Sequence, residues 1–218
     1  MSTLAQPRPE KRVRNRRNPE ATKASILAAA RLEFAERGID GARVDNIAKR
    51  AGSNKQLVYY YFGSKDDLYK AALEAAYADI RNLERELDLT ALPPREAMVR
   101  LIDFSLDYLA QHREFIRMLA DENAHGAPHV KNSEAVLRTN SPLLQLLEET
   151  LKKGEAEGIF KKGVDPLELY ISIAGMTFFY FANGLTMSAI FGRDLSQPTA
   201  LASYRDHIVE LTLSGLRP

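Results

Sequence analysis

Apolar residues recur at three- and four-residue intervals along most of this chain, and no stretch alternates with period two. That pattern predicts helices throughout. The first runs from about Pro19 to Arg37, with Asn18 as N-cap, Pro19 in the first helical position and Gly38 as stop signal. Its inward stripe is Ile26, Ala30 and Phe34, flanked by Leu27 and Ala35. A second helix, Val44–Ala51, packs through Val44, Ile47, Ala48 and Ala51. A third follows the N-cap candidate Asn54 to about Tyr61, with Val58, Tyr61 and Phe62 turned inward.

Ser64 caps a long fourth helix over about 65–86, with Asp66 and Asp67 complementing the positive end of its dipole. Pro93-Pro94 breaks the pattern. A fifth helix is expected over about 95–111 and a sixth over 113–123. The polar stretch 124–139 reads as a loop with some helix. Ser141-Pro142 is expected to open a seventh helix ending at Gly158. Asp165-Pro166 opens an eighth to about Phe191, and residues 196–198 open a ninth to about Ser214. The fold expected is all-α: an N-terminal three-helix helix-turn-helix domain and a C-terminal helical body, about nine helices altogether.

Charge divides the chain in the same place. Up to Lys65 there are 14 basic and 6 acidic residues, a net of +8; the remainder holds 16 basic and 23 acidic, a net of −7. The overall +1 hides a polyanion-binding end joined to an acidic body. Residues 1–18 carry Arg8, Lys11, Arg12, Arg14, Arg16 and Arg17 with little apolar surface, and read as a disordered basic arm. Such an arm either tracks a phosphate backbone or serves as a solubilising tail. The domain limits expected are 1–18 for the arm, 19–80 for the DNA-binding unit (its helix-turn-helix about 43–62) and 81–218 for the body.

Two short helices meeting at Ala51-Gly52-Ser53-Asn54 make a helix-turn-helix. Gly52 tolerates a positive φ at the turn. With Val58, Tyr61 and Phe62 inward, the outward face should hold Ser53, Lys55, Gln56, Tyr59 and Tyr60. Gln56 can bond an adenine edge with two groups, and a lysine commonly reads guanine. Tyr59 and Tyr60 can donate to phosphates or pack on sugars and thymine methyls. Lys65 sits where an ammonium and a helix N-terminus share one phosphate.

Residues 20–80 resemble the N-terminal domain of the tetracycline-repressor (TetR) family of bacterial transcription regulators. The resemblance is carried by Ile26-Leu27-Ala28-Ala29-Ala30, Phe34-Ala35-Glu36-Arg37-Gly38, Ile47-Ala48, Ala51-Gly52, Tyr59, Tyr61-Phe62 and Ser64-Lys65. Three positions depart from it. Arg43 replaces the threonine that often caps the second helix and touches a phosphate, a loss of about 1 kcal/mol at most, although an arginine there could still reach the backbone of DNA. Tyr60 stands where a histidine is common, and Ser53 where a small apolar residue is. Residues 81–218 match in general layout only, with Gly158-Ile159-Phe160 and Asp165-Pro166 before a long apolar helix. The resemblance implies a homodimer whose last two helices pair with those of its partner, and a small-molecule effector. In the ninth helix Leu201, Tyr204, Ile208 and Leu211 recur at 3, 4 and 3 residues, a seam suited to such pairing.

Leu169–Phe191 has no charged residue over 23 positions. That length passes the roughly 18–20 residues of a membrane span. Scattered Ser172, Thr177, Asn183, Thr186 and Ser188 favour a helix buried in a dimer instead. Phe104, Tyr108, Phe115 and Met118 could face Met176, Phe178, Phe179, Tyr180, Phe181, Asn183 and Met187 across an apolar effector pocket, with Asn183 and a tyrosine hydroxyl as anchors; plain core packing is the alternative for any one of them. His125 and His129 lie near Asp121 and Glu122, but Gly126 and Pro128 interrupt the helix, and solvated loop histidines are expected rather than a metal site. No Cys, no G-x-S-x-G elbow and no phosphate-cradling glycine loop occurs, and His112 and His207 lack evident catalytic partners. Nothing calls for a cofactor or for catalysis. The N-terminus has no apolar stretch of a signal peptide, so the expectation is a cytoplasmic, membrane-free, ligand-responsive repressor acting as a homodimer on double-stranded DNA. The alternative is a helical interaction or membrane-anchored protein that binds no DNA.

Overall fold

The computed structural model describes residues 18–218, apart from the side chains of residues 139–141. The basic arm, but for Asn18, lies outside the described residues. Ten α-helices and one 3-10 turn follow in order: α1 (Pro19–Gly41), α2 (Val44–Arg50), α3 (Lys55–Phe62), α4 (Lys65–Arg85), the 3-10 turn Leu89–Ala91, α5 (Pro94–Gln111), α6 (Arg113–Ala124), α7 (Pro128–Lys131), α8 (Glu134–Ala156), α9 (Pro166–Phe191) and α10 (Pro198–Gly215). No strand occurs among the described residues.

The caps follow from the sequence. Asn18, Asn54, Ser64 and Asp165 each accept a backbone N–H from the first turn of the helix they precede. Gly38 adopts φ 66° and ψ 174°, so the regular run of α1 stops there and residues 39–41 form a separate turn. The largest departure from the expected layout is α8. It starts at Glu134 with Ser133 as N-cap and carries Pro142 inside it, so Ser141-Pro142 does not open it. Ser133 explains the earlier start: its hydroxyl accepts the N–H of Val136 and donates to Glu74 on α4 at 2.6 Å. A short α7 fills part of the stretch expected to be loop.

Three apolar clusters hold these helices. One unites Ile26, Ala30 and Phe34 of α1, Ile47 and Ala48 of α2, Val58 of α3 and Leu68, Tyr69 and Leu73 of α4. A second, in the C-terminal body, joins Met98, Leu101 and Ile102 of α5 to Leu147 of α8, Ile173 of α9 and Ile208 of α10. The third bridges them: Ala76 and Ile80 at the far end of α4, Tyr108 and Leu109 of α5, Phe115 and Ile116 of α6. Thus α4 belongs to both halves, its N-terminal turns to the first cluster and its C-terminal turns to the third. Arg205 of α10 ties back to Asp103 of α5 at 3.0 Å and to Asp107. Gly154 is fixed by packing, because a Cβ there would stand 2.1 Å from the Phe160 ring.

An ion pair is buried where α4 meets α9. Arg81 bonds Glu84, and its Nη2 donates to the Tyr170 hydroxyl at 2.8 Å. Burial pushes the Glu84 carboxyl up from 4.5 to about 7, against the pull of the Arg81 guanidinium. The native state therefore keeps this proton to higher pH than the unfolded chain does. The contribution of Glu84 to stability is full below about pH 4.5 and is lost as pH rises toward 7. Glu84→Gln, which keeps an acceptor for Arg81, should remove that decline. Urea unfolding across this window should show the variant gaining on the wild type with rising pH, by up to about 3 kcal/mol.

Candidate nucleic-acid interface and its connection to the body

The reading helix is short, so its position depends on what clamps it. Gly52 takes φ 61° at the turn between α2 and α3. The Ser53 N–H donates to Ala48 O at 2.9 Å, closing the turn. Asn54 caps α3 through Leu57 N at 2.8 Å. Val58 is fully buried, while Tyr61 and Phe62 pack half-buried on the same core. Lys23 of α1 lies over the Tyr61 ring at 5.8 Å. The opposite face presents Lys55, Gln56, Tyr59 and Tyr60 to solvent, with Tyr60 79% exposed.

Ser53 is not part of that face as expected, because its hydroxyl oxygen is buried without a hydrogen-bond partner. Asn54 contributes as a cap, with its side-chain oxygen engaged. Lys65 is half-buried and donates to Asp40 O at 3.3 Å, so its ammonium lies at the corner between α1 and α2. Arg43 precedes α2 and makes no side-chain cap. A buried carboxylate replaces that cap: Glu33 of α1 accepts Arg43 N at 3.3 Å and Asn46 Nδ2 at 2.8 Å. The Arg43 side chain remains exposed beside α3. Sequence reasoning missed Glu33; its signal was an acidic residue directly before the core residue Phe34.

Lys55 also has a competitor. Asp45 of α2 holds its ammonium at 2.9 Å, and this pairing keeps the Lys55 pKa above its ordinary value. Both side chains are about half exposed, so the pair is weak and a phosphate can take the lysine over.

The reading head is joined to the body through α6. Asp121 accepts the N–H of Ile39 at 2.9 Å, and the Tyr69 hydroxyl donates to Met118 O at 3.1 Å and to Asp121 at 3.2 Å. Gly38 allows this approach: a Cβ there would lie 2.9 Å from Asp121 Oδ1. Burial and the nearby carboxylates raise the Tyr69 pKa far above its usual value, so the hydroxyl stays a donor. Glu122 is buried and accepts the N–H groups of His129 and Val130, with His129 Nδ1 at 2.8 Å. His129 packs its ring edgewise on Tyr69 at 4.8 Å and is not the solvated loop histidine expected. His125 approaches Asp40 at 3.4 Å. No group of three or more potential metal ligands converges among the described residues.

The residues expected to line an effector pocket scatter. Met118 is buried in the first cluster, beside Tyr69. Phe104, Tyr108 and Phe115 pack against one another and against Phe178 and Phe181 in the third cluster. Phe179 is 54% exposed on the outer side of α9. Asn183 is half-buried and donates back to Phe179 O in its own helix. The Met176 carbonyl accepts the Tyr204 hydroxyl at 3.0 Å, and Met187 is half-buried. Of the expected residues, Tyr180 and Phe181 line a cavity of about 280 Å³ between α6 and α9, and Met176 lines a separate one of about 550 Å³ between α9 and α10. Arg113, Ile116 and Arg117 of α6 form the other wall of the first, and periodicity gave no sign of them.

The expected pairing seam divides as well. Ile208 is buried in its own subunit, and Leu201 and Tyr204 pack on that same core. Tyr204 stacks on Tyr180 at 4.5 Å. Only Leu211 of the four faces outward, at 53% exposure. The reason is geometric: one helix cannot turn the same narrow stripe both to its own core and to a partner. The outward apolar surface is on α9 instead, where Ile171, Phe179, Leu185 and Ile190 are all more than half exposed.

A buried helix bundle presenting a clamped, solvent-facing helix of lysine, glutamine and tyrosine defines a helix-turn-helix DNA-binding regulator. Residues 26–72 match the model for bacterial regulatory proteins of the tetR family, and residues 94–212 match the tetracyclin repressor-like C-terminal domain. The chain belongs to the TetR family of bacterial transcriptional regulators. It is 34% identical over 198 residues to the HTH-type transcriptional repressor NicS of Pseudomonas putida, covering 91% of this chain and 93% of that one. Among solved structures it is similar in fold to the fatty acid degradation regulator FadR of Bacillus halodurans, with TM-score 0.69, 23% identity and coverage of 90% and 96%. FadR of Bacillus subtilis in complex with stearoyl-CoA gives TM-score 0.67 at 21% identity, over 89% of this chain and 99% of that one.

Two substitutions test this surface. Asp45→Asn should strengthen binding to duplex DNA severalfold at low salt by freeing Lys55, whereas Lys55→Ala should weaken it and reduce the salt dependence by about one unit. Electrophoretic or anisotropy titrations at several salt concentrations measure both. Gly38→Ala should destabilise the fold by about 1–3 kcal/mol through its positive φ and the crowded Asp121, read by thermal unfolding.

Proposed function

We propose that this protein is a homodimeric repressor that binds a near-palindromic operator and leaves it when a small apolar or amphipathic molecule occupies the C-terminal body. The observation that carries this reading is the outward face of α3. Lys55, Gln56, Tyr59 and Tyr60 project from a helix whose other side is locked into a core. Gln56 bonds an adenine edge, and the tyrosines and Arg43 meet the sugar-phosphate backbone. Two such helices in one dimer occupy successive major grooves, about 34–36 Å or a multiple apart.

Support for pairing comes from α9. Its outer side is a charge-free stripe of Ile171, Gly175, Phe179, Ala182, Thr186 and Ile190, too apolar to remain in water on a soluble regulator. Its length and mean hydropathy of 1.3 also suit a membrane span. A second copy is the better occupant, since regulators of this family typically act as dimers. Small residues along the stripe let two helices approach closely. The name of NicS and the acyl-CoA complex of B. subtilis FadR support repression and ligand response respectively. Release follows if the ligand prefers a conformation in which the two reading heads are wrongly spaced.

Selection of bound fragments from random duplex DNA tests the main reading. An inverted repeat should emerge, and Gln56→Ala should relax preference at one base in each half, for about 1–3 kcal/mol of discrimination. Recovery of no sequence motif by the wild-type protein would falsify it. For pairing, Ile171→Asp with Phe179→Asp should yield a folded monomer by sedimentation, because both side chains are already exposed in the single subunit.

A further inference from the structure

We propose that the cavity between α6 and α9 binds a small organic anion, a carboxylate carried on an apolar or aromatic body, and that Arg113 and Arg117 are its anchors. This rests on the reading of the chain as a ligand-responsive regulator and names the chemical class of the ligand.

The cavity measures about 280 Å³, and its walls are mainly apolar, with Ile116 on one side and Phe181 and Leu185 on the other. Arg113 and Arg117 stand four residues apart, on one face of α6. The Arg113 guanidinium lies over the Phe181 ring at 4.6 Å, which holds its plane against the cavity wall. Neither arginine takes part in any ion pair described for this protein, although Glu36 of α1 feels the charge of Arg117 at longer range. No acidic side chain lines the cavity. Asp194, in the loop after α9, accepts from Ser196 and Gln197 in that same loop.

The remaining polar groups of the lining are already satisfied. The Tyr180 hydroxyl donates to Leu195 O at 2.7 Å, and Ser188 donates to Gly184 O while accepting Leu195 N. What the cavity offers a ligand is two guanidiniums, neither in a close ion pair, beside apolar and aromatic surface. A planar carboxylate matches that fork geometry.

Position gives the site its consequence. Four residues beyond Arg117, on the same helix, Asp121 holds Ile39 and Tyr69 of the reading head. An anion drawn between the arginines and α9 acts on the helix that fixes the head.

The test uses the full-length protein with benzoate and octanoate, and with benzamide and octanol as their neutral counterparts. Calorimetric titration should show at least one acid binding about tenfold or more tightly than its neutral partner. Arg113→Gln with Arg117→Gln should abolish that preference. Both side chains are exposed, so the fold should survive, and operator affinity without ligand should be unchanged. The proposal is overturned if neither acid outbinds its counterpart, or if the preference persists in the double variant. A wild-type protein that prefers the acids but binds no duplex would refute the regulator reading and leave the anion site standing.

Discussion

The carboxylate of Asp121 joins the two halves of this protein. It sits on α6, a helix of the body, yet its partners are the Ile39 amide after α1 and the Tyr69 hydroxyl of α4. A charge-assisted bond to a half-buried backbone amide is strong and directional. It is possible only because Gly38 has no Cβ and accepts a positive φ. Glu122, the next residue, is buried and ties down the start of α7 through two amides. Asp121 thus fastens the far end of α6 to the DNA-reading unit and Glu122 fastens it to α7, while its near end carries the arginines facing α9.

Rigidity of the reading head has a similar origin. An α2 of seven residues cannot hold itself in water. Its N-terminus lacks a side-chain cap, and Glu33 from α1 supplies the acceptors. The cost of burying that carboxylate is offset by bonds to an amide and an asparagine, with Arg50 at 3.8 Å. The departure at Arg43 is therefore repaired from a neighbouring helix, and the arginine itself is left outside where a polyanion can reach it.

The C-terminal body is built differently. Inside it, the buried pair Arg81 and Glu84 and the half-buried Arg205 with Asp103 and Asp107 hold its charges together. Its longest helix has apolar residues on every side, one side against α5, α8 and α10 and the other outward. The arginines at the cavity between α6 and α9 stand out against this because no carboxylate shares its lining.

Local signals in the sequence determined a great deal. Caps at Asn18, Asn54, Ser64 and Asp165, the glycines at 38 and 52, and the periodicity of Ile26, Ala30, Phe34 and Val58 are properties of a few neighbouring residues, and they led to the all-helical layout and to the outward set Lys55, Gln56, Tyr59 and Tyr60. The start of α8 was misread because a proline is a local signal, whereas the bond from Ser133 to Glu74 spans 59 residues. Only the tertiary structure decided which face each apolar helix turns inward. The stripe of Leu201, Tyr204 and Ile208 and the aromatic groups of α9 are equally hydrophobic on either assignment, and periodicity names a face without naming its partner. The same holds for Met118, Arg113 and Asp121: one helix sends them to a core, a cavity and a neighbouring domain, and that division arises from packing between segments far apart in the chain.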